Sequence, residues 1–493
     1  MHIIHLSSEL APIAKVGGLG DVVYGLSKEL VRQGHTVEII LPKYDCIHYE
    51  LLQKFKVHYR ELWSYDGPYR YNNTVWSAEV EGLSILLIDP HHPSYLFHRG
   101  AIYGCSDDIE RFLYFSRAAM EFLFKSQRRP DILHLHDWPT SIASILLKDM
   151  YLALGTPPIK TVLTLHNLEH QGKCLPKHLT QIGLQGERYL SADLLQDPHQ
   201  LSLINLLKGG IEYASILTTV SPSYEKEIKT PLGGYGLENT LIKHAKKLYG
   251  ILNGIDEDFW NPEKDPFLPH PFSTHPPFIQ EKMQHIQMAK RNNKKALQQK
   301  LALNQDSAVP LVACISRLVP QKSPALIAYT FEYVLSQGGQ CVILGSAFDA
   351  ETFELFSTLS SAYASSTQGA LILDYDEPLS HLIYAASDLF VVPSLFEPCG
   401  LTQLIALRYG SIPLVRKTGG LKDTIFHKKN GFLFKQLTKE DLARVIDQAL
   451  LLWKEHPQTW ADLQQHGMEM DYSWKRAAQE YVCLYSKDFP FTR

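Results

Sequence analysis

Lys15-Val16-Gly17-Gly18-Leu19-Gly20-Asp21 sets one cation and three glycines within seven residues. Glycines lack the Cβ atoms that keep an anion away from backbone N–H groups, and a turn that opens a helix adds the positive end of the helix. The stretch is neither a G-x-G-x-x-G nor a Walker-type loop, so it points to an anionic ligand without specifying a nucleotide enzyme. A tight-packing turn at a helix start accounts for the same glycines. In Ser316-Arg317-Leu318-Val319-Pro320-Gln321-Lys322 a guanidinium and an ammonium stand five residues apart. Such a pair suits a diphosphate whose charge grows as it leaves, although ordinary surface cations also fit the placement.

The densest polar cluster is Phe396-Glu397-Pro398-Cys399-Gly400-Leu401-Thr402-Gln403. A carboxylate just before a helix start is favoured in its charged form and accepts hydrogen bonds from sugar hydroxyls. The Gly400 turn is expected to free backbone N–H groups for a phosphate. Cys399 has no His beside it in sequence to act as base, which disfavours a thiol nucleophile. Thr418-Gly419-Gly420-Leu421 repeats the glycine-turn-to-helix pattern. His134 and His136 alternate on one run and His91-His92 are adjacent, but no third ligand has recognisable zinc spacing. Structural or substrate hydrogen bonds are their expected role, and no metal is expected.

The elements that position these residues alternate. His2 to Leu6 reads as a buried strand, Leu19, Val22, Val23, Leu26 and Leu30 recur at helical spacing, and Gly34 stands at a C-cap. Strands are predicted over 35–41, 84–89, 131–136, 160–165 and 216–220, with an amphipathic helix over 107–126 and another starting near Thr140. Ser221-Pro222 marks a further helix start. The alternation breaks near 248–256, an irregular Pro-rich passage runs from Asn261 to about Ile279, and a second alternation begins at Val309. The fold class is therefore α/β, with two Rossmann-like doubly wound domains facing a cleft. We divide the chain at residues 1–250, 251–473 and a left-over helix in 474–493. His136-Asp137, His166-Asn167, Ser316-Arg317, Gly345-Ser346 and Pro393-Ser394 all fall at strand C-ends, where open α/β sheets bind ligands.

A chain of 493 residues is too long for one core. A net charge of −4 without a basic block disfavours nucleic acid as a partner. No apolar run is long enough to span a bilayer, and the N-terminus enters a strand without a signal-peptide core. The seven cysteines, at 46, 105, 174, 314, 341, 399 and 483, form no CxxC pair. That pattern favours a reducing compartment, and the cytoplasm is the expected location.

SSELAPIAKVGGLGDVV, HLHDW, LHNLEHQG, TVSPSY, GYGLEN, ILNGID, SRLVPQK, FEPCGLTQL and VRKTGGLKDT, in this order, resemble the bacterial glycogen synthases and plant starch synthases. The resemblance covers nearly the whole chain. It implies the B-type glycosyltransferase fold, with a C-terminal helix crossing back to the first domain. It also implies transfer of glucose from a nucleotide sugar to the non-reducing end of an α-1,4-glucan, with retention and without metal or cofactor. The implied partners are that donor, ADP-glucose before UDP-glucose, and glycogen or a malto-oligosaccharide; oligomeric state is not implied.

Carried over by residue, the resemblance makes Lys15, Gly17 and Gly18 part of the donor-phosphate and acceptor site. It sets Asp137 near the reacting sugar, and His166 with Asn167 at its anomeric carbon. Arg317 and Lys322 grip the diphosphate, Glu397 holds the donor glucose, and Cys399, Gly400, Leu401 and Thr402 line sugar and phosphate. Asp21 and Glu9 match the family without separate roles. Three departures bear on substrate detail: Ser323 replaces the usual glycine after QK, Ala347-Phe348 alter the LGSGD turn, and Glu169-His170 replace Ala-Tyr. Because the family has no agreed nucleophile, same-face attack is the expected route to retention. Another retaining transferase of this fold is the alternative within enzymes, disfavoured by Ile405 where many carry a second Glu. A non-catalytic glucan-binding scaffold is the alternative outside them.

Overall fold

Short apolar runs buried on both faces make the parallel strands, and helices with one apolar stripe cover them. The computed structural model describes residues 1–275, 277 and 279–487. It divides into two units, one of Met1–Gly254 with Trp474–Arg493 and one of Ile255–Ser473.

The first unit contains β1 (His2–Leu6), β2 (Thr36–Pro42), β3 (Gln53–Asp66), β4 (Tyr69–Val80), β5 (Leu83–Pro90), β6 (Ile132–His136) and β7 (Lys160–Leu165). A two-stranded ribbon of β8 (Lys173–Cys174) and β9 (Ile204–Asn205) follows, then β10 (Ile216–Thr219) and β11 (Leu248–Gly250). The main sheet runs β11-β10-β7-β6-β1-β2-β5-β4-β3. Its strands are parallel from β11 to β5, after which β4 and β3 add an antiparallel hairpin. This hairpin is absent from the sequence reading. One face of β3 is open to solvent, with Trp63 and Tyr65 exposed, so the strand carries no run of buried apolar residues to announce it.

The helix Gly18–Arg32 buries Leu19, Val22, Val23, Leu26 and Leu30 and stops at Gly34, whose φ of +86° is the left-handed region a glycine enters freely. The helix after β6 begins at Asp137 rather than near Thr140, and spans Asp137–Leu146. Asp137 makes the corner itself, at φ +53°, a conformation Asp tolerates better than most residues. The terminal helix Trp474–Tyr485 packs on Gly18–Arg32. A Cβ at Gly25 would lie 1.9 Å from Trp474 Nε1, so the indole requires a glycine beneath it. Lys160 Nζ donates to the carbonyls of Tyr485 (2.7 Å) and Lys487 (2.6 Å) at the other end of this helix.

The second unit holds β12 (Leu311–Ile315), β13 (Gln340–Leu344), β14 (Gly369–Ile372), β15 (Leu389–Val392), β16 (Ile412–Arg416) and β17 (Phe432–Phe434). All pair in parallel in the order β14-β13-β12-β15-β16-β17. Each unit thus has one point where the strand order reverses, between β1 and β6 in the first and between β12 and β15 in the second. Ligand crevices of such sheets open at these points, beyond the strand C-ends.

Candidate active-site residues

In the first unit, β1 runs into Ser7-Ser8-Glu9. Glu9 is buried, and its Oε2 accepts from the backbone N–H groups of Val16 (2.7 Å) and Gly17 (2.9 Å). Its Oε1 accepts from the Tyr103 hydroxyl (2.9 Å), which also lies 2.7 Å from Ser8 Oγ. Burial pushes the Glu9 carboxyl up, and the two amides and Tyr103 hold it back. The expectation that the Lys15–Gly18 backbone offers its N–H groups to a phosphate is therefore corrected in part, since two of them already serve Glu9. What stays open is the first turn of the helix Gly18–Arg32, which Gly17 caps without a side chain. Lys15 Nζ lies 2.8 Å from Asp21 Oδ1, so the rim cation and Asp21 form a pair. A cavity of about 290 Å³ beside them is lined by Lys15, Val16, Cys46, His48, Ile102 and Tyr103.

Across the β1–β6 switch, Asp137 Oδ1 accepts from the His166 N–H at 2.7 Å, which ties the ends of β6 and β7 together. Burial raises the Asp137 carboxyl to about 8, against the pull of the His166 and Asn167 backbone N–H groups. Asn167 Oδ1 accepts from Glu169 N–H (3.0 Å) and shapes the loop, on which Glu169 and His170 are exposed. His134 and His136 acquire a third neighbour in His5, with ligand atoms within 4.8 Å of one another. Five of the six ring nitrogens are nevertheless engaged in hydrogen bonds. His5 Nδ1 pairs with His136 Nε2 and His136 Nδ1 with His166 Nε2, both at 3.0 Å. His134 pairs with Tyr485 and Thr164 at 2.8 and 2.6 Å. These histidines serve hydrogen bonding, as their spacing suggests.

In the second unit Arg317 and Lys322 differ sharply. Arg317, beyond the end of β12, is exposed and its guanidinium has no partner among the described residues. Lys322 Nζ pairs with Glu397 Oε2, which also accepts from Ser394 Oγ at 2.9 Å. Glu397 is buried. Gln321 carries the same seam on, its carbonyl accepting from Leu395 N–H (2.8 Å) and its amide donating to the Phe396 carbonyl (3.2 Å). Cys399 is buried and Gly400 takes φ +75°. The Gln403 amide donates to the carbonyls of Cys399 (3.3 Å) and Gly400 (2.8 Å), turning the loop's acceptors inward ahead of the helix Thr402–Arg408. Leu401 caps that helix without a side-chain bond.

The Thr418–Leu421 turn opens the helix Gly419–Thr424, and its glycines allow close approach of a neighbouring backbone. A Cβ at Gly419 would fall 1.8 Å from the Glu397 carbonyl oxygen and one at Gly420 2.3 Å from that of Cys399. Gly420 N–H donates to the Glu397 carbonyl at 3.0 Å. Of the departures, Ser323 sits at φ +57°, a conformation that suits glycine, with its Oγ buried and unpartnered. Asp349 Oδ1 accepts from Thr352 N–H (2.8 Å) as an ordinary helix cap, and Phe348 is exposed. Sequence reasoning missed His5 and Tyr103, placed Ser394 and Gln403 at the site without a role, and gave Glu9 no separate role. Only Ser394, three residues before Glu397 at a strand end, carried a local signal.

Residues 2–243 match the family model for the starch synthase catalytic domain, and residues 293–463 that for glycosyl transferases group 1. The chain is 48% identical to a glycogen synthase of Protochlamydia amoebophila, over 98% of this chain and 99% of that one. It is 44% identical to a probable starch synthase 4 (chloroplastic/amyloplastic) of Arabidopsis thaliana, over 99% of this chain and 47% of that longer protein. Its structure resembles the catalytic domain of Starch Synthase IV from Arabidopsis thaliana bound to ADP and acarbose, with TM-score 0.94, 44% identity and 98% of each chain covered. Sucrose-phosphate synthase from Thermosynechococcus elongatus, at TM-score 0.63 and 17% identity over 98% of each chain, shares the fold alone.

Proposed function

The chain belongs to the glycogen and starch synthase family of glycosyltransferases, and from that premise we propose that it moves glucose from ADP-glucose to the non-reducing end of an α-1,4-glucan, with retention of configuration. The second unit holds the donor in this reading and the first the acceptor side. The observation that carries it is the division of labour at the β12–β15 switch. Arg317 is an exposed cation without a partner among the described residues, while Lys322 is bound to a buried Glu397.

Breaking the bond from glucose C1 to the diphosphate leaves positive charge on the sugar and negative charge on the leaving group. The Arg317 guanidinium and uncapped helix N–H groups stabilise the latter as its charge develops. Lys322 and Ser394 fix the Glu397 carboxylate, whose remaining lone pairs accept from sugar hydroxyls. Retention by same-face attack is supported by the carboxylates of the first unit. Glu9 is occupied by three donors, and Asp137, raised to about 8, is largely protonated at neutral pH and so a poor nucleophile.

For the donor base, the support is that the Arabidopsis structure was solved with ADP. Discrimination falls to second-unit loops around Ser323 and Ala347-Phe348, where one unpaired buried polar group costs about 1–3 kcal/mol, tenfold or more in preference. Cysteines without a disulfide among the described residues support a cytoplasmic setting. Nucleoside diphosphate release with glycogen as acceptor, compared as kcat/KM for ADP-glucose and UDP-glucose, tests both levels. Preference for ADP-glucose is expected, preference for UDP-glucose overturns the donor assignment, and no release with either overturns the transferase reading.

A further inference from the structure

Three imidazoles cluster beneath the β1–β6 switch. His5 on β1 and His134 on β6 are register partners, and His136 follows two residues on, so the rings project from one sheet face. All three are fully buried. The rings stack, with centroids 4.8 Å apart for His5 and His134, 4.5 Å for His134 and His136 and 5.3 Å for His5 and His136. Hydrogen bonds run His5 Nδ1 to His136 Nε2 and His136 Nδ1 to His166 Nε2. The chain starts at an atom with no outlet, since His5 Nε2 is buried and unpartnered. It ends at His166 Nδ1, which has no hydrogen bond among the described residues. His166 itself is half-buried.

A neutral imidazole has one N–H, so each ring must donate to the next in a single sense along the chain. If the protons pointed inward, the last one would sit on His5 Nε2 as a buried N–H with no acceptor, the arrangement folded proteins most avoid. If they point outward, each ring carries its proton on Nδ1 and only a lone pair is left over at His5. We propose that His5 and His136 are positioning residues that set the tautomer of His166, so that it offers Nδ1–H as a hydrogen-bond donor to the sugar instead of a lone pair acting as a base. This rests on the glucosyl-transfer reading. Burial keeps the cluster neutral, with His5 and His166 lowered to about 3 and His134 and His136 also far below the ordinary range. The other groups facing the cluster are Tyr485 and Thr164, both hydrogen-bonded to His134, the Tyr481 ring 5.5 Å from His134, and the Asp137 carboxyl on the His166 N–H. None of them gives His5 Nε2 a partner.

The test is the ¹⁵N spectrum of histidine-labelled full-length protein, with His166 assigned by its loss in His166→Gln. The proposal expects a protonated Nδ1 and a bare Nε2 on His166 near neutral pH. His5→Asn, whose side-chain amide stands where Nδ1 was and can accept as well as donate, removes the penalty on the inward sense, so it should populate both tautomers of His166 and lower kcat about twofold, in proportion to the donor population lost, with KM within about twofold. His5→Leu offers no acceptor, so an inward His136 Nε2–H would still be orphaned and His166 should keep the parental tautomer. A proton on His166 Nε2 in the parent protein overturns the proposal, and this result stands even if His5→Leu fails to fold. A His5→Asn protein in which His166 shows only the parental tautomer overturns it as well. Absence of any glucosyl transfer would instead remove the functional reading, because the spectrum reports the tautomer independently of activity.

Discussion

Replacing Lys322 with Met removes a cation that the structure has already committed to Glu397. The two side chains are 18% and 7% exposed, so Glu397 would keep its charge in a largely desolvated site with only Ser394 to hold it. Breaking one side of a buried pair costs about 3–5 kcal/mol, because the orphaned charge loses its partner without regaining water. For a unit of this size each kcal/mol moves the melting temperature by about 2–4 °C, so the loss is roughly 10 °C. The double replacement Lys322→Met with Glu397→Gln removes both charges and should regain most of that loss, since neutral groups of similar shape often match a buried pair. Differential scanning calorimetry of the parent, both single variants and the double variant gives the coupling directly. A Lys322→Met protein melting within about 1 °C of the parent would show that the pair is not desolvated, and the account of how Glu397 is fixed would fall.

Arg317→Ala should behave in the opposite way, lowering kcat by about 10²-fold while the melt is unchanged, because the guanidinium has no structural partner to lose. Steady-state kinetics beside a melting curve decide it, and near-parental turnover would remove Arg317 from the leaving-group role. Asp137→Asn tests the raised carboxyl. With a native value of about 8 the folded state holds a proton that the unfolded chain has released above about pH 4, so parental stability falls as pH rises through that window. The Asn variant does not titrate, so its melting temperature relative to the parent should climb between about pH 5 and pH 8, and a constant difference would refute the shift. Ser323→Gly should stabilise the second unit by roughly 1 kcal/mol, by relieving φ +57° and deleting the unpartnered hydroxyl. An unchanged urea midpoint would count against strain there.

Strand His2–Leu6, the helix it feeds and the second alternation were legible because their apolar periods are long and their glycine punctuation is local. The β3–β4 hairpin was not, because its exposed face mixes aromatic and charged residues and no core pattern rises above it. Glu9 shows a different limit. Its partners are the amides of residues seven and eight positions on and a hydroxyl 94 positions away, and no residue type announces that a carboxylate will cap a turn from below. The same limit hid why Thr418–Leu421 carries two glycines, a requirement that comes from carbonyl oxygens of a distant loop. Lys322 was read as a free cation for the same reason. Residue types and strand ends indicated where charges gather, and only tertiary geometry showed which were already spent on each other.

The placement of Trp474 over Gly25 has a consequence for the order in which the molecule is made. The first unit combines Met1–Gly254 with the helix starting at Trp474, so Ile255–Ser473 is an insertion in its sequence. A polypeptide leaving the ribosome presents the strands of the first sheet early, yet the helix that covers Gly25 and reaches His134 through Tyr485 emerges only after the whole of Ile255–Ser473. The inserted unit is contiguous in sequence and needs no later residue to close its own sheet. Every residue of the second unit is therefore made before the helix that covers Gly25, and until that helix follows, the face of Gly18–Arg32 beneath Trp474 has no cover from it.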